Sequence, residues 1–194
     1  MFNYIDINMS RAIITASDQN YSGSALTPTP TVVLGTYEIS SDYYDVSYNN
    51  NINAGTATIT VEGKDGYIGT GIGEFTIQKV APSYSVPTPK NLTYNGNAQV
   101  ALNAGSSSDG TIMYSLNNDS WSENIPTIAS AGTHTVYWKL VGDNNHTDVA
   151  AQEIEVTVAK VTPTITAPSA KINLVYDGSA QALADNGSTD FGTM

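Results

Sequence analysis

Side chains able to do acid–base or metal chemistry are sparse in this sequence. His134 and His146 are its two imidazoles, and cysteine is absent. Without thiols there is no cysteine nucleophile, no thiolate metal site and no disulfide, and the redox compartment is left open. Neither histidine has a third ligand residue at a recognised metal spacing, and no Gly-x-Ser-x-Gly elbow is present. The run Asp143-Asn144-Asn145-His146-Thr147-Asp148 and the pair Asp42/Asp45 gather oxygens that calcium favours. Their spacing is not that of an EF-hand, and Asn and Asp are ordinary turn residues. The glycines Gly66, Gly69, Gly71 and Gly73 precede no helix whose N-terminus could hold a phosphate, so they read as a turn between strands. The sequence therefore assigns no catalytic, cofactor-binding or metal-ligating residue, and reads as a non-enzyme.

Tyrosine is the one suggestive bias, with 12 against 3 phenylalanines. A tyrosine can sit at the edge of a core with a wet hydroxyl, or stay exposed and stack on a sugar or protein partner. Tyr43 and Tyr44 are adjacent, so on one strand they face opposite sides, and one of the two must be exposed. With Tyr48 they define a candidate contact surface for a glycan or a cell-surface protein. Charge narrows the partners further. Eighteen acidic residues against seven basic ones give −11, which repels phosphate backbones and anionic headgroups and argues against nucleic-acid or membrane-surface binding. No apolar run reaches the length of a membrane span, and Met1 to Asp6 lacks the pattern of a signal peptide.

The elements that must position these groups are strands. Thr, Val, Ile and Tyr alternate with polar residues between Gly, Asn, Asp and Pro punctuation, the period-two pattern of half-buried β-structure. The pattern repeats. Tyr94-Asn95-Gly96-Asn97-Ala98-Gln99 matches Tyr176-Asp177-Gly178-Ser179-Ala180-Gln181 at an offset of 82, and Lys79-Val80-Ala81-Pro82 matches Lys160-Val161-Thr162-Pro163 at 81, so one residue is inserted between. Tyr21-Ser22-Gly23-Ser24-Ala25 is a weaker copy of the same Tyr-x-Gly element, and Asn53-Ala54-Gly55-Thr56 answers Ser130-Ala131-Gly132-Thr133. Basic residues Arg11, Lys79 and Lys160 close each copy.

These landmarks divide the chain into residues 1–11, the last strand of a preceding repeat; 12–79 and 80–160, two unequal repeats; and 161–194, the start of a further one. The last segment is too short to close a core alone and should be marginal. Strands are expected near 12–17, 30–34, 36–40, 43–49, 55–63 and 72–79, with turns at 18–20, 49–53 and 64–66. In the second repeat they fall near 83–87, 98–102, 111–116, 132–141 and 151–159, with a turn at 142–145. Short strands at this spacing predict an all-β fold of tandem Greek-key sandwiches set end to end.

The run from Tyr43 through Asn49-Asn50-Asn51-Ile52-Asn53-Ala54-Gly55-Thr56 to Val61 resembles the signature of bacterial immunoglobulin-like repeats. Gly63-Lys64-Asp65-Gly66-Tyr67-Ile68-Gly69-Thr70 and Phe75-Thr76-Ile77 follow in that family's order, and the Tyr-x-Gly elements of the later copies are similar to the MBG/YDG type. The longer stretch 106–129, containing Trp121, departs from the first repeat and implies a second subtype. This resemblance implies immunoglobulin-like modules in an extracellular or cell-surface adhesin-like protein, with export and anchoring signals outside this sequence. The function it implies is a structural stalk or spacer whose partners are neighbouring repeats. The alternative is a carbohydrate- or protein-binding sandwich using exposed tyrosines.

Overall fold

The computed structural model describes residues 7–193. Among these there is no α-helix; two three-residue 3-10 turns, Met9–Arg11 and Ser41–Tyr43, interrupt an otherwise all-β chain of multiple sheets. The chain folds as two compact units. One takes the residues up to Val86 with Gly105–Met113 and Lys139–Ala151, and the other takes Pro87–Ala104, Tyr114–Trp138 and the residues from Gln152 onward.

In the first unit a seven-stranded sheet runs in the order Tyr37–Glu38, Thr31–Leu34, Ile13–Thr15, Thr70–Gln78, Gly55–Gly63, Tyr44–Asn49, with Gln19–Asn20 also paired to Thr70–Gln78. Alternation drives the assembly. Along Gly55–Gly63, Ala57, Ile59 and Val61 are buried, while Thr56 and Glu62 are exposed. The neighbouring strand contributes Phe75 and Ile77 to the same core, which also holds Met9, Ile14, Val32, Ile39 and Tyr44. Each such apolar side chain contributes about 1.5–3 kcal/mol on leaving water, and these residues carry most of the unit's cohesion.

Gly71 and Gly73 belong to this packing rather than to a ligand loop. A Cβ on Gly71 would lie 2.6 Å from the Met9 carbonyl oxygen, and one on Gly73 would lie 2.6 Å from Ile14 Cγ2. Only glycine lets the Met9–Ile14 stretch cross the strand this closely. The first described residues are also integral to the unit. Ile7–Asn8 pairs in parallel with Tyr67–Ile68, and Met9 is fully buried. Residues 1–6 of the strand expected at 1–11 lie outside the described residues, and 9–11 form a 3-10 turn instead. The turn expected at 18–20 differs too. Gln19 and Asn20 form a short strand, parallel to Ile77 and Gln78, because their backbone completes the free edge of the last strand there.

A four-stranded sheet orders Leu92–Thr93, Val149–Ala159, Gly132–Gly142 and Gly110–Ser115. Within the second unit the alternating residues Val136 and Trp138, and Val156 and Val158, are buried, as are Ala101, Leu102, Tyr114 and Ile128. Two pairs of short antiparallel strands precede the long ones: Tyr84–Ser85 with Ser106–Ser107, and Thr88–Pro89 with Leu102–Asn103. The same two pairs recur later in the chain. Ile165–Thr166 pairs with Ser188–Thr189, and Ser169–Ala170 with Ala184–Asp185. The first members are displaced by 81 and the second by 82, which places the inserted residue between Lys171 and Val175. Asn173 there adopts φ +61°.

Burial separates the two occurrences. Ala101 and Leu102 are buried, whereas their counterparts Leu183 and Ala184 are exposed, and no residue of 161–193 is buried.

Candidate functional site

The candidate contact tyrosines do not share a face. Tyr43, in the 3-10 turn, is 41 % exposed and lays its ring on Tyr67 at 5.1 Å. Tyr44, one residue on, opens the strand and turns into the core. Burial raises its phenol pKa, with Glu38 adding to the effect. Tyr48 is half-buried. Its hydroxyl donates to the Pro28 carbonyl at 2.7 Å, its ring meets Phe75 edge-on, and burial raises its pKa as well. Of the three, only Tyr43 offers substantial ring surface to solvent. Beside Tyr48 a shallow groove of about 500 Å³ is lined by Asn49–Thr56.

The two histidines do different things. His134 Nε2 lies 2.9 Å from the Ser130 carbonyl oxygen, a local tie at the base of its strand. His146 is the centre of a larger polar cluster within the first unit. The turn after Gly142 is folded by Asp143, whose Oδ1 accepts from the Asn145 and His146 amides at 2.7 and 3.0 Å and lies 2.7 Å from His146 Nδ1. Those contacts, the Asn145 amide first and then the imidazole, hold the Asp143 carboxyl below the ordinary carboxylate range. Asp109 approaches the other ring nitrogen at 3.8 Å. It too is held low, first by the Ser83 amide that it accepts at 2.8 Å and then by the Ser108 hydroxyl. The remaining edge of the imidazole meets Tyr21, with ring centroids 5.5 Å apart and planes at 84°.

This turn grips the chain at the Lys79–Val80 step. Val80 donates to the Asn145 carbonyl and accepts from the Thr147 amide, at 3.1 and 2.8 Å. Lys79 Nζ donates to the Asp143 carbonyl at 2.8 Å. From the opposite side, Asn145 Oδ1 accepts from the Ala54 amide at 2.9 Å, and its Nδ2 donates to Asn53. A Cβ at Gly142 would collide with the His146 and Thr147 carbonyls, so the tightness of the turn requires glycine there. What this arrangement can do chemically is hold backbone segments together. Among the described residues no three His, Asp or Glu side chains converge to hold a metal. In the oxygen-rich run noted in the sequence, Asp143 accepts from amides of its own turn, Asp148 from Gly142 and Asn145 from Ala54.

A second polar joint lies after Lys160, within the second unit. Thr164 donates to Asp190 Oδ1 at 2.8 Å, as Ser83 does to Asp109. Tyr94 meets Phe191 at 5.2 Å with planes at 61°. Tyr21 and Tyr94 are the tyrosines of the Tyr-x-Gly elements, and their backbones match. Each donates its amide to the last strand of its copy, Tyr21 to Gln78 and Tyr94 to Ala159, both at 2.9 Å. Gly23, Gly96 and Gly178, two residues after each tyrosine, take φ +77°, +80° and +87°, a left-handed conformation that favours glycine. The side-chain tie also repeats: Gln99 Nε2 donates to the Thr93 carbonyl, and Gln181 Nε2 to that of Val175.

Sequence reasoning found the Tyr-x-Gly tyrosines and the 142–148 turn separately but not their meeting. No sequence signal pointed to it, because His146 and Phe191 do not stand at corresponding positions of the repeat. No family model matches this chain, and no curated protein matches it. No helix among the described residues is long and apolar enough to cross a membrane.

Proposed function

We propose that the chain is a run of tandem immunoglobulin-like modules serving as a structural spacer in a bacterial cell-surface or secreted protein, without catalytic activity. The observation that carries this reading is the recurrence of the same strand pairs, 84–85 with 106–107 and 88–89 with 102–103, at 81 and 82 residues. A spacer needs modules that fold on a common plan and steps that resist bending. The bonds at Lys79–Val80 are of the kind that would supply that resistance. Small-angle scattering tests the proposal: a spacer gives a pair-distance distribution with a long tail, whereas a compact profile typical of a 194-residue globule would overturn it.

The binding alternative rests on the groove at Asn49–Thr56 and on Tyr43. The groove sets amide side chains beside the Tyr48 phenol, a combination that suits sugar hydroxyls, and Tyr43 offers a separate exposed ring face. A glycan array read with wild type and with Tyr43→Ala decides it, and binding that disappears in the variant would promote this reading over the spacer.

A further inference from the structure

We infer that the tyrosine of each Tyr-x-Gly element is a docking element, and that Tyr176 presents an open docking surface for a further module of the same kind. The inference rests on reading the chain as a series of like modules, though not on their serving as a spacer. Three tyrosines stand in one backbone setting, each followed two residues later by a glycine of positive φ. Two of the three are covered in the same manner. Tyr21 takes the edge of His146, and Tyr94 takes that of Phe191, at 5.5 and 5.2 Å. Tyr176 is 91 % exposed.

Each covering ring has an aspartate close by in sequence, although His146 stands before the last strand of its copy and Phe191 after Ser188–Thr189. Asp143, three residues before His146, caps its turn. Asp190, immediately before Phe191, accepts from Thr164. The partner of Tyr176 is thereby specified by its chemistry as a planar ring, aromatic or imidazole, with an aspartate close by in sequence, carried by the following module. Edge-to-face geometry suits a tyrosine face meeting such a ring. It also allows the ring to change from histidine to phenylalanine between joints without altering the tyrosine.

A sugar stacking on Tyr176 is the competing occupant. The two covered tyrosines argue against it, because both meet protein rings edge-on within the same chain. The covering residues are separated from their tyrosines by 125 and 97 positions, so local chain geometry does not impose the contact.

Tyrosine nitration with tetranitromethane, mapped by mass spectrometry, tests the inference. In the present chain Tyr176 should react fastest, with Tyr21 and Tyr94 about fivefold slower, the order expected for an aromatic contact. Phe191→Ala should raise the Tyr94 rate to that of Tyr176. The chain is then lengthened by continuing from Thr193 into a second copy of residues 112–194, which supplies one further period. Tyr176 should there fall to the rate of Tyr94, and alanine at the appended counterpart of Phe191 should restore it. An unchanged Tyr94 rate in Phe191→Ala would overturn the inference. So would a Tyr176 that stays fully reactive in the lengthened chain while the appended strands resist hydrogen exchange. Protection of Tyr176 by added oligosaccharide in the present chain would assign the surface to a glycan and also overturn it. A compact scattering profile would remove the spacer reading and leave this result standing.

Discussion

The steps after Lys79 and after Lys160 begin with the same Lys-Val dipeptide yet are held very differently. At the first, Val80 is hydrogen-bonded on both sides by the 142–148 turn, and Asn145 reaches across to Asn53 and Ala54. At the second, the Thr164–Asp190 bond and the Tyr94–Phe191 contact recur without a comparable turn among the described residues. What similar sequence at the two joints shares is the bond from Ser83 or Thr164 to an aspartate. The grip comes from a turn about 65 residues away in the chain.

The contrast can be broken by attacking the turn. Gly142→Val places carbons against the His146 and Thr147 carbonyls and should cost about 1–3 kcal/mol, as overpacking does. In a chain of this length that corresponds to a Tm lowered by about 2–4 °C per kcal/mol, and differential scanning calorimetry reads it. An unchanged Tm would show that the turn does not hold the first joint. Asn145→Ala is gentler. It strips the half-buried Ala54 amide of its acceptor, at about 1 kcal/mol, and should raise amide exchange at Ala54 while leaving Thr164 untouched.

Acid should loosen the first joint as well. Asp109 and Asp143 titrate below the ordinary carboxylate value, so the folded state favours their ionised forms. Their contribution is complete above the unfolded carboxylate pKa, about 4, and is lost as pH falls through their lower folded values. Amide protection at Ser83, Asn145 and His146, corrected for intrinsic exchange, should drop over that interval before protection in Gly55–Gly63 does. Uniform loss across the unit would contradict this. The smallest effect belongs to the second joint. Tyr94→Ala should cost about 0.5–1.5 kcal/mol, the value of one aromatic pair. It should leave exchange at Val80 unaltered.

How much of this was legible in the sequence depended on whether the cause was local. Gly55–Gly63 was delimited correctly because Thr alternates with Ala, Ile or Val over residues 56–61, with Gly at either end of the strand. Gly132–Gly142 was found to within one residue for the same reason. One of Tyr43 and Tyr44 is exposed and the other buried, as expected, although Tyr43 belongs to the 3-10 turn and not to the strand from which that was argued. Gln19–Asn20 was missed because its pairing is supplied by Ile77 and Gln78, nearly sixty residues on, and two polar residues carry no strand pattern. Gly71 was left outside the strand expected at 72–79, and the glycine run was read as a turn, because the reason for Gly71 and Gly73 is Met9 and Ile14 crossing overhead. The joint was the least legible part. A turn was expected at 142–145, where the strand Gly132–Gly142 does end, but the hold of this segment on Asn53, Ala54 and Val80 follows only from the fold.

One pairing has a bearing on how such a chain responds to load. Early in each copy a short segment runs parallel to the copy's last strand: Gln19–Asn20 beside Ile77–Gln78, and Leu92–Thr93 beside Val158–Ala159. A pull on the two ends of a copy drags these parallel neighbours in opposite directions along their common axis. The hydrogen bonds between them are then strained together in shear, rather than peeled one after another as at the open end of a hairpin. Rupture has to break the set at once, so tension meets its stiffest resistance where the entering and leaving strands lie side by side.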